Sequence, residues 1–254
     1  MAHLYVQDLE KVRVLRFSNV DKRNALTREM LAALKAALAF DDDNQVRCVV
    51  LAGDEEGKAF SSGFDITAID EEERARGLDP IDEAAVAIEG CAVPVVAAIE
   101  GPMFGGAFEL AMACDLRFMG ELSTCGMPPA RLGLVYSYSG LKRFLRVLSP
   151  SRCQRLFLSA APLTAPQALA FGIVDEVVSQ GASLTHALAF AKQVCFGAPI
   201  AVRGMCEGIR LLSRDDDDAS ESIAAARGLS LKSEDLKEGV RAFQERRPPA
   251  FRGR

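Results

Sequence analysis

The feature that most constrains this chain is a strand, a glycine turn, a helix and a second strand in close succession near its middle. Pro94–Ile99 (PVVAAI) is a short apolar run typical of a buried strand, and Gly105–Cys114 predicts a helix that starts after a glycine turn. Asp115–Met119 then predicts the next strand. This succession indicates a βαβ unit, so the sequence predicts an α/β fold with a parallel sheet.

The residues before this unit predict further strands and a helix. His3–Gln7 and Val12–Phe17 are typical of two short strands, and Val46–Ala52 is a compact β-branched strand. Between them, Thr27 is a candidate N-cap for a helix over Arg28–Phe40. The front half of the chain is therefore predicted to be α/β.

The second half is predicted to be mostly helical. The chain beyond Ser137 is predicted to be almost wholly helical apart from a short strand near Ile173–Val178, and a further helix, Asp82–Glu89, is predicted before the βαβ unit. We therefore divide one continuous unit into an α/β core over residues 1–195 and a C-terminal helical region over residues 196–254.

Composition narrows the class of protein. The chain has 254 residues, 49% of them apolar, which is enough for a core that needs neither disulfides nor metal. Its formal net charge of −5 favours neither nucleic acid nor acidic membranes as partners. It has seven scattered cysteines, no signal-peptide pattern and no apolar run near the ~20 residues of a membrane span, so we expect a cytoplasmic protein. With only His3 and His186, a zinc site or a histidine triad is not expected.

Two turns 44 residues apart carry the chemical signal. One lies in Ala59–Ile66 (AFSSGFDI) and the other in Ile99–Leu110 (IEGPMFGGAFEL). Glycines at 105 and 106 allow the main chain to approach a ligand, and the first N–H groups of a helix lack internal partners. Such N–H groups suit an oxyanion that develops on a bound carbonyl.

Six ordered segments resemble the enoyl-CoA hydratase/isomerase (crotonase) superfamily. They are DKRNAL (21–26), AFSSGFDI (59–66), VPVVAAIEGPMFGGAFELAMACDL (93–116), MPPARLGL (127–134), the ALAFGIVDEV stretch (168–177) and the C-terminal ERRPPAFRGR. The resemblance implies a fold of repeated ββα units with C-terminal helices that build a homotrimer or a dimer of trimers. It also implies an acyl-CoA substrate, with no cofactor beyond the coenzyme A of that substrate and no metal.

The same resemblance assigns the site residues. Ser62 and Gly106 match the two oxyanion-hole N–H donors, and Glu109 and Tyr136 match catalytic positions. The positions that match the coenzyme A and substrate contacts are Lys22, Arg23, Ala25, Ala59, Ser61, Gly63, Phe64, Asp65, Ile66, Phe104, Gly105 and Pro129.

Each assignment has a structural alternative. Lys22 and Arg23 could be an ordinary solvated pair, and Asp65 could simply brace the following segment. Glu109 lies one turn into an otherwise apolar helix, where an acid gains about 0.3–1 kcal/mol from the helix dipole. Burial of an unpartnered carboxylate costs more than that gain, so we favour a functional Glu109.

The sequence departs from the two-glutamate hydratases at one position. Their second glutamate falls in the segment 127–131, where this chain has Pro129, which cannot exchange a proton, and Glu121 lies too far back to replace it. The run FGGAFELAM and the downstream MPPARLGLVYS are similar to the methylmalonyl-CoA decarboxylase branch, in which a tyrosine at the position of Tyr136 sits at the pocket. Phe64 departs from that branch, which tends to carry a polar residue there.

Three hypotheses remain open. The first is decarboxylation of a short malonyl-type (methylmalonyl or ethylmalonyl) CoA, with Tyr136 orienting the carboxylate and Glu109 positioning or supplying a proton. The second is an enoyl-CoA hydratase or double-bond isomerase that uses Glu109 alone. The third is a non-catalytic acyl-CoA-binding protein, or an enzyme that acts on a carrier-protein thioester.

Overall fold

The computed structural model describes residues 2–39, 45–65 and 79–254. The strands are β1 (His3–Leu9), β2 (Val12–Ser18), β3 (Cys48–Gly53), β4 (Val95–Ile99), β5 (Met103–Phe104), β6 (Leu116–Gly120), β7 (Thr124–Gly126), β8 (Leu163–Thr164) and β9 (Glu176–Val178). The helices are α1 (Arg28–Leu38), α2 (Pro80–Glu89), α3 (Gly106–Ala113), α4 (Tyr138–Leu145), α5 (Pro150–Ser159), α6 (Ala165–Phe171), α7 (Ser183–Cys195), α8 (Pro199–Leu212), α9 (Ala219–Lys232) and α10 (Glu234–Glu245). Ile66 lies outside the described residues.

The main sheet has six strands in the order β1-β2-β3-β4-β6-β9. Only β1 and β2 pair antiparallel, and every other neighbouring pair is parallel. The predicted βαβ unit is confirmed, because β4 pairs with β6 in the register Val96↔Leu116 across α3. All residues of β4 are buried, as expected for a parallel strand that is covered on both faces.

The two faces of this sheet are covered by different helices. Leu15 and Leu51 point into the larger core with residues of α1, α2 and α3, whereas Val14 and Val50 point into a smaller core that also contains Ala187 of α7. This period-2 alternation follows from the pleat of the strands. Glu109 therefore stands on a helix that packs within the larger core.

A second sheet, in the order β5-β7-β8, places the glycine turn that precedes α3. Its first strand, β5, pairs in parallel with β7 in the register Phe104↔Gly126. Gly105 directly follows β5 and its N–H donates to the Gly126 carbonyl at 3.1 Å. The start of α3 is thus held by a hydrogen bond to the second sheet.

Most predicted boundaries differ from the structure by one or two residues, and three of the differences concern a helix end, a helix start and a strand start. Thr27 caps α1 as predicted, accepting from the Met30 N–H at 3.3 Å, but α1 ends at Leu38. Helix α2 begins two residues before the predicted start, because the Asp79 carboxylate caps it and Pro80 suits the first helical position. Strand β9 spans only Glu176–Val178.

Helix α7 ends at Cys195, and α8, α9 and α10 follow it. The division of the chain at residue 195 stays a prediction. Among the residues that the structure describes, no helix is both long and apolar enough to cross a membrane. Five of the seven cysteines are buried and all seven are free thiols. The cysteines of this chain act mainly as small core residues, as predicted.

Candidate active site

Two loops are joined side by side at the carboxyl ends of β2 and β3. The Leu26 N–H donates to the Gly63 carbonyl at 2.8 Å, and the Asp65 N–H donates to the Leu26 carbonyl at 3.0 Å. The Lys22 ammonium forms an ion pair with Asp65 at 2.7 Å, although the Lys22 side chain is largely exposed. Asp65 therefore braces the two loops, which is the structural alternative considered for it.

Ser62 is held by both of its polar groups. Its N–H donates to the Arg23 carbonyl at 3.0 Å, and its hydroxyl donates to the Lys22 carbonyl at 3.0 Å. The prediction that Ser62 offers a free N–H to an oxyanion is therefore wrong in this structure. Two residues later, the Phe64 N–H donates to no acceptor among the residues the structure describes. Phe64, rather than Ser62, is the available donor of this turn.

A buried asparagine that sequence reasoning did not single out fixes the first loop. Asn24 is fully buried; its side-chain amide donates to the carbonyls of Asp54 at 2.8 Å and Ala59 at 2.7 Å. Its amide oxygen accepts from the Asn19 N–H, and the Asn19 side chain donates to the Ala25 carbonyl. Ala25 and Ala59 thus hold the loop through their carbonyl groups. The asparagine in the DKRNAL segment was the available signal.

The second turn touches the first. The Phe104 N–H donates to the Ser61 carbonyl at 3.1 Å, and a Cβ on Gly63 would lie 2.8 Å from the Phe104 carbonyl oxygen. Gly105 has φ 54° and ψ −127°, a conformation that essentially only glycine adopts. The backbone of this turn is therefore specified by its glycines.

Gly106 begins α3 and lies against α2. Its N–H has no acceptor within the described part of the chain, as the first N–H of a helix usually has none inside the helix. A Cβ at Gly106 would lie 2.7 Å from the Ile81 side chain, so α2 packs directly on this residue. Gly106 is thus a free donor on a helix start that a larger residue would displace.

Glu109 is the buried carboxylate of the site. It is 1% exposed, and its two oxygens accept from different partners: the Tyr136 hydroxyl bonds Oε2 and the Arg143 guanidinium bonds Oε1. Burial raises the pKa of Glu109, while the Tyr136 hydrogen bond and the Arg143 charge act in the opposite direction. Both oxygens of Glu109 are therefore engaged within the protein.

Arg143, on α4, neutralises this carboxylate and was not identified from the sequence. Its side chain is 3% exposed, and it also donates to Glu89 at 2.9 Å and to Asp82 at 3.1 Å. Burial alone would lower the pKa of Arg143, but the carboxylates around it raise that pKa above its ordinary value. Arg146 adds a second ion pair to Glu89 at 2.7 Å. Glu109 is the innermost member of a cluster in which positive and negative groups alternate.

Tyr136 is placed by packing and by its hydroxyl. Its ring lies 5.3 Å from the ring of Phe157, and burial together with the charge of Glu109 raises its pKa well above the ordinary value. The hydroxyl therefore stays protonated and donates. Pro129 is buried at the start of a short 3₁₀ turn, Pro129–Leu132. Glu121 is exposed directly after β6, where it accepts from the Gln180 N–H.

This arrangement offers two main-chain donors and one carboxylate without a free oxygen. In the described ranges, no group of three or more His, Cys, Asp or Glu side chains is placed to hold a metal ion. The site is thus suited to stabilising negative charge on a carbonyl oxygen through Phe64 and Gly106. It is less suited to proton abstraction by Glu109.

Comparison with known proteins identifies the family. Residues 8–254 match the family model described as enoyl-CoA hydratase/isomerase. The chain is 32% identical over its full length to the full length of the methylmalonyl-CoA decarboxylase of Escherichia coli K12, and 34% identical to the carnitinyl-CoA dehydratase of Salmonella paratyphi A, with 92% of each chain covered. The crystal structure of an enoyl-CoA hydratase from Bacillus anthracis covers 99% of both chains with a TM-score of 0.92 at 27% identity. The chain is a member of the enoyl-CoA hydratase/isomerase family and has the crotonase fold.

Proposed function

We propose that this acyl-CoA enzyme decarboxylates a short malonyl-type CoA thioester, such as methylmalonyl-CoA or ethylmalonyl-CoA. The Phe64 and Gly106 N–H groups hold the thioester oxygen. Tyr136 orients the substrate carboxylate by turning towards it the one hydroxyl hydrogen that bonds Glu109 in the ligand-free protein. Lys22 and Arg23 contact the coenzyme A. Phe64 replaces Ser62 as donor in this assignment, because the Ser62 N–H is bonded to the Arg23 carbonyl.

The reaction needs no base on the enzyme. The bond between Cα and the carboxylate breaks, CO₂ leaves, and the electron pair forms the enolate, whose negative oxygen is held by the two N–H groups. Cα then takes up one proton, so the balanced reaction consumes one proton and yields the shortened acyl-CoA and CO₂. Donors aimed at the developing oxyanion lower the barrier because they bind the transition state more strongly than the ground state.

The observation that carries the proposal is the engagement of both oxygens of Glu109. Tyr136 and Arg143 occupy them, and Pro129 cannot supply a second acid or base. Ion pairing to Arg143 also removes the repulsion that an isolated Glu109 anion would exert on a substrate carboxylate. A hydratase or isomerase would need Glu109 to exchange a proton, and the Arg143 charge makes Glu109 a weaker base by lowering its pKa.

The relatives support the proposal without deciding it. The E. coli relative over the full length is a decarboxylase, and the Salmonella relative at similar identity is a dehydratase. The competing function is therefore hydration or double-bond isomerisation of an enoyl-CoA through Glu109. A carrier-protein thioester as substrate is distinguished by testing phosphopantetheine-linked substrates beside the CoA esters.

The test is mass spectrometry of the purified protein in D₂O with methylmalonyl-CoA, ethylmalonyl-CoA, crotonyl-CoA and a 3-enoyl-CoA. We expect a loss of 44 mass units for CO₂, with one deuterium gained at Cα, from a malonyl-type substrate only. The competing role of Glu109 is tested by Glu109→Gln, which should lose activity only in part if the protein is a decarboxylase. Glu121→Gln is the matched control, because Glu121 is exposed. Addition of water or a shifted double bond without CO₂ loss would overturn the proposal, and tight acyl-CoA binding without any turnover would indicate a binding protein.

We also propose that the chain assembles as a homotrimer or a dimer of trimers. Large apolar side chains are exposed on α8 and α10, among them Ile209 at 68% and Phe243 at 87%. Apolar surface of this kind is typical of an interface between subunits. Sedimentation velocity at micromolar concentration should give three or six chains per particle, and a monomer would contradict this assignment.

A further inference from the structure

A second pocket lies at the opposite end of the main sheet from the acyl-CoA site. It has a volume of about 490 Å³ and includes Lys11, which directly precedes β2, and Arg47, which directly precedes β3. The acyl-CoA loops follow the other ends of these parallel strands. Because β2 has seven residues and a strand rises about 3.3 Å per residue, the two sites are separated by about 20 Å.

Four basic residues line this basic pocket, and among the residues that the structure describes no acidic residue does. They are Lys11, Arg47, Arg203 and Arg252. Within the described ranges, none of the four has a carboxylate within 4.0 Å, although most other buried or half-buried arginines are paired. Lys11, Arg47 and Arg203 are half-buried, so water screens their mutual repulsion only in part.

The basic groups are held in place by neutral acceptors and by the fold. The Arg47 guanidinium donates to the carbonyls of Cys195 at 3.1 Å and Phe251 at 3.2 Å, which fix its position without neutralising its charge. Helix α8 begins on the wall of the pocket at Pro199 and runs for 14 residues, so its positive end adds to the same field.

The C-terminal tail forms one wall and is tied down by carboxylates that face its backbone. Asp235 accepts from the N–H groups of Arg252 and Gly253, both at 2.7 Å, and Glu238 accepts from the Ala250 N–H at 3.0 Å. Asp235 and Glu238 therefore bind the main chain of the tail instead of the basic side chains of the pocket. The pocket is organised before any ligand arrives.

We propose that the basic pocket binds a small phosphate-bearing molecule of nucleotide size, with one site per chain. Arginine and lysine side chains and a helix N-terminus are the usual ligands of phosphate oxygens. Val46, Ile200 and Phe251 supply an apolar wall for a base or another flat group. The volume lies within the range of small-molecule sites and exceeds what an inorganic anion would fill.

Such a phosphate ester could come from a free nucleotide or from the 3′-phospho-ADP part of a second coenzyme A. The probes are therefore ADP, 3′,5′-ADP and pyrophosphate, titrated calorimetrically into the full chain before and after saturation with an acyl-CoA. Binding that persists with the acyl-CoA site saturated locates the ligand elsewhere. Preference for 3′,5′-ADP over ADP would point to coenzyme A as the source.

Substitutions distinguish ADP binding in the basic pocket from ADP binding in the acyl-CoA site. We expect Arg203→Ala and Arg252→Ala each to weaken ADP binding by at least tenfold, and Arg203→Gln to behave like Arg203→Ala. Arg227→Ala is the matched control, because Arg227 is an exposed arginine of α9 outside the pocket and its loss should leave affinity unchanged. Lys22→Ala should weaken acyl-CoA binding and leave ADP binding unchanged.

Three results would overturn the proposal. The first is no heat of binding for any probe at millimolar concentration, and the second is ADP binding that Lys22→Ala abolishes and Arg203→Ala leaves intact. The third is a change of particle mass in Arg203→Glu without any ADP binding to the unaltered protein, which would assign the basic pocket to a contact with acidic side chains of a second copy. Circular dichroism of each variant confirms that it is folded.

Discussion

Basic side chains cluster in two regions of this protein, and the two clusters differ in whether carboxylates neutralise them. Around Glu109, Arg143 and Arg146 alternate with Glu89 and Asp82. In the basic pocket, four cations face a cavity, and none of the lining residues that the structure describes carries a carboxylate. Groups excluded from water need partners within the chain, whereas groups that face a cavity can be neutralised by a molecule that enters it. The difference separates a cluster that positions catalytic groups from a site that awaits a ligand.

The largest effect should come from removing the cation of the buried cluster. Arg143→Met leaves Glu109, at 1% exposure, without its ion pair and should destabilise the protein by about 3–5 kcal/mol in chemical denaturation. The matched change in the basic pocket, Arg203→Met, removes an unpaired cation and should change the free energy of unfolding by less than about 0.5 kcal/mol. Equal losses in the two variants would remove the distinction between the regions.

The stability lost in Arg143→Met should depend on pH. Without Arg143, the pKa of Glu109 in the folded state is raised further above its ordinary value, because burial is no longer opposed by a neighbouring charge. Because the carboxyl ionises first in the unfolded state, the loss should be small below the ordinary pKa, grow as pH rises from the ordinary to the raised pKa, and level off above it. Unfolding of Arg143→Met compared at pH 5 and pH 8 checks this. A loss independent of pH would show that Arg143 acts by packing alone.

The next effect concerns Tyr136, which connects the cluster to the substrate in the proposed reaction. Tyr136→Phe leaves Glu109 Oε2 without a donor, which should cost about 1–3 kcal/mol of stability. It should also lower kcat for decarboxylation by more than it changes KM, because orientation of the leaving carboxylate matters in the transition state. Since the pKa of Tyr136 is raised, kcat should show no loss from ionisation of Tyr136 between pH 7 and 9. Unchanged kcat in Tyr136→Phe would remove Tyr136 from the mechanism.

A residue of this site could be predicted from the sequence when the pattern that marks it lies within a few neighbouring residues. Glu109 and Gly106 lie within four residues of each other on one helix, so a single acid in an apolar run and a glycine at the helix start were enough to find them. Arg143 is 34 residues away in the chain, and its position against Glu109 depends on how α4 crosses α3. A basic residue on an amphipathic helix is indistinguishable from a solvated one until that crossing is known.

The choice between Ser62 and Phe64 shows a second limit. Both lie in one turn, and which N–H is free depends on the register between this turn and the loop that follows β2. The Leu26↔Phe64 bridge occupies the N–H groups of Leu26 and Asp65 and leaves that of Phe64 free, whereas the Ser62 N–H meets the Arg23 carbonyl. A shift of two residues would move Ser62 into the position of Phe64, and the sequence of either loop alone does not specify that register.

A smaller effect is expected from removing the charge of Glu109, because Arg143 already neutralises that charge. In Glu109→Gln the amide oxygen can still accept from Tyr136, so decarboxylation should fall by only about tenfold, which corresponds to about 1.4 kcal/mol. A general acid or base role predicts a loss of about 10²–10⁴ instead. The initial rate of CO₂ release, with Glu121→Gln as control, distinguishes the two outcomes and decides between decarboxylation and single-glutamate isomerisation.

The smallest effect concerns the wall of the basic pocket. Asp235 is 3% exposed and accepts from two N–H groups of the tail, so Asp235→Asn, with one acceptor oxygen, should lose one of these bonds at a cost of about 1 kcal/mol. Hydrogen exchange should then accelerate at the amides of Arg252 and Gly253 while those of α3 stay protected, because α3 is held by the buried cluster. Faster exchange at both the tail and α3 would mean that the two regions unfold together as a single cooperative unit. The contrast between the cluster around Glu109, which is neutralised within the protein, and the basic pocket, which needs a ligand, would then not hold.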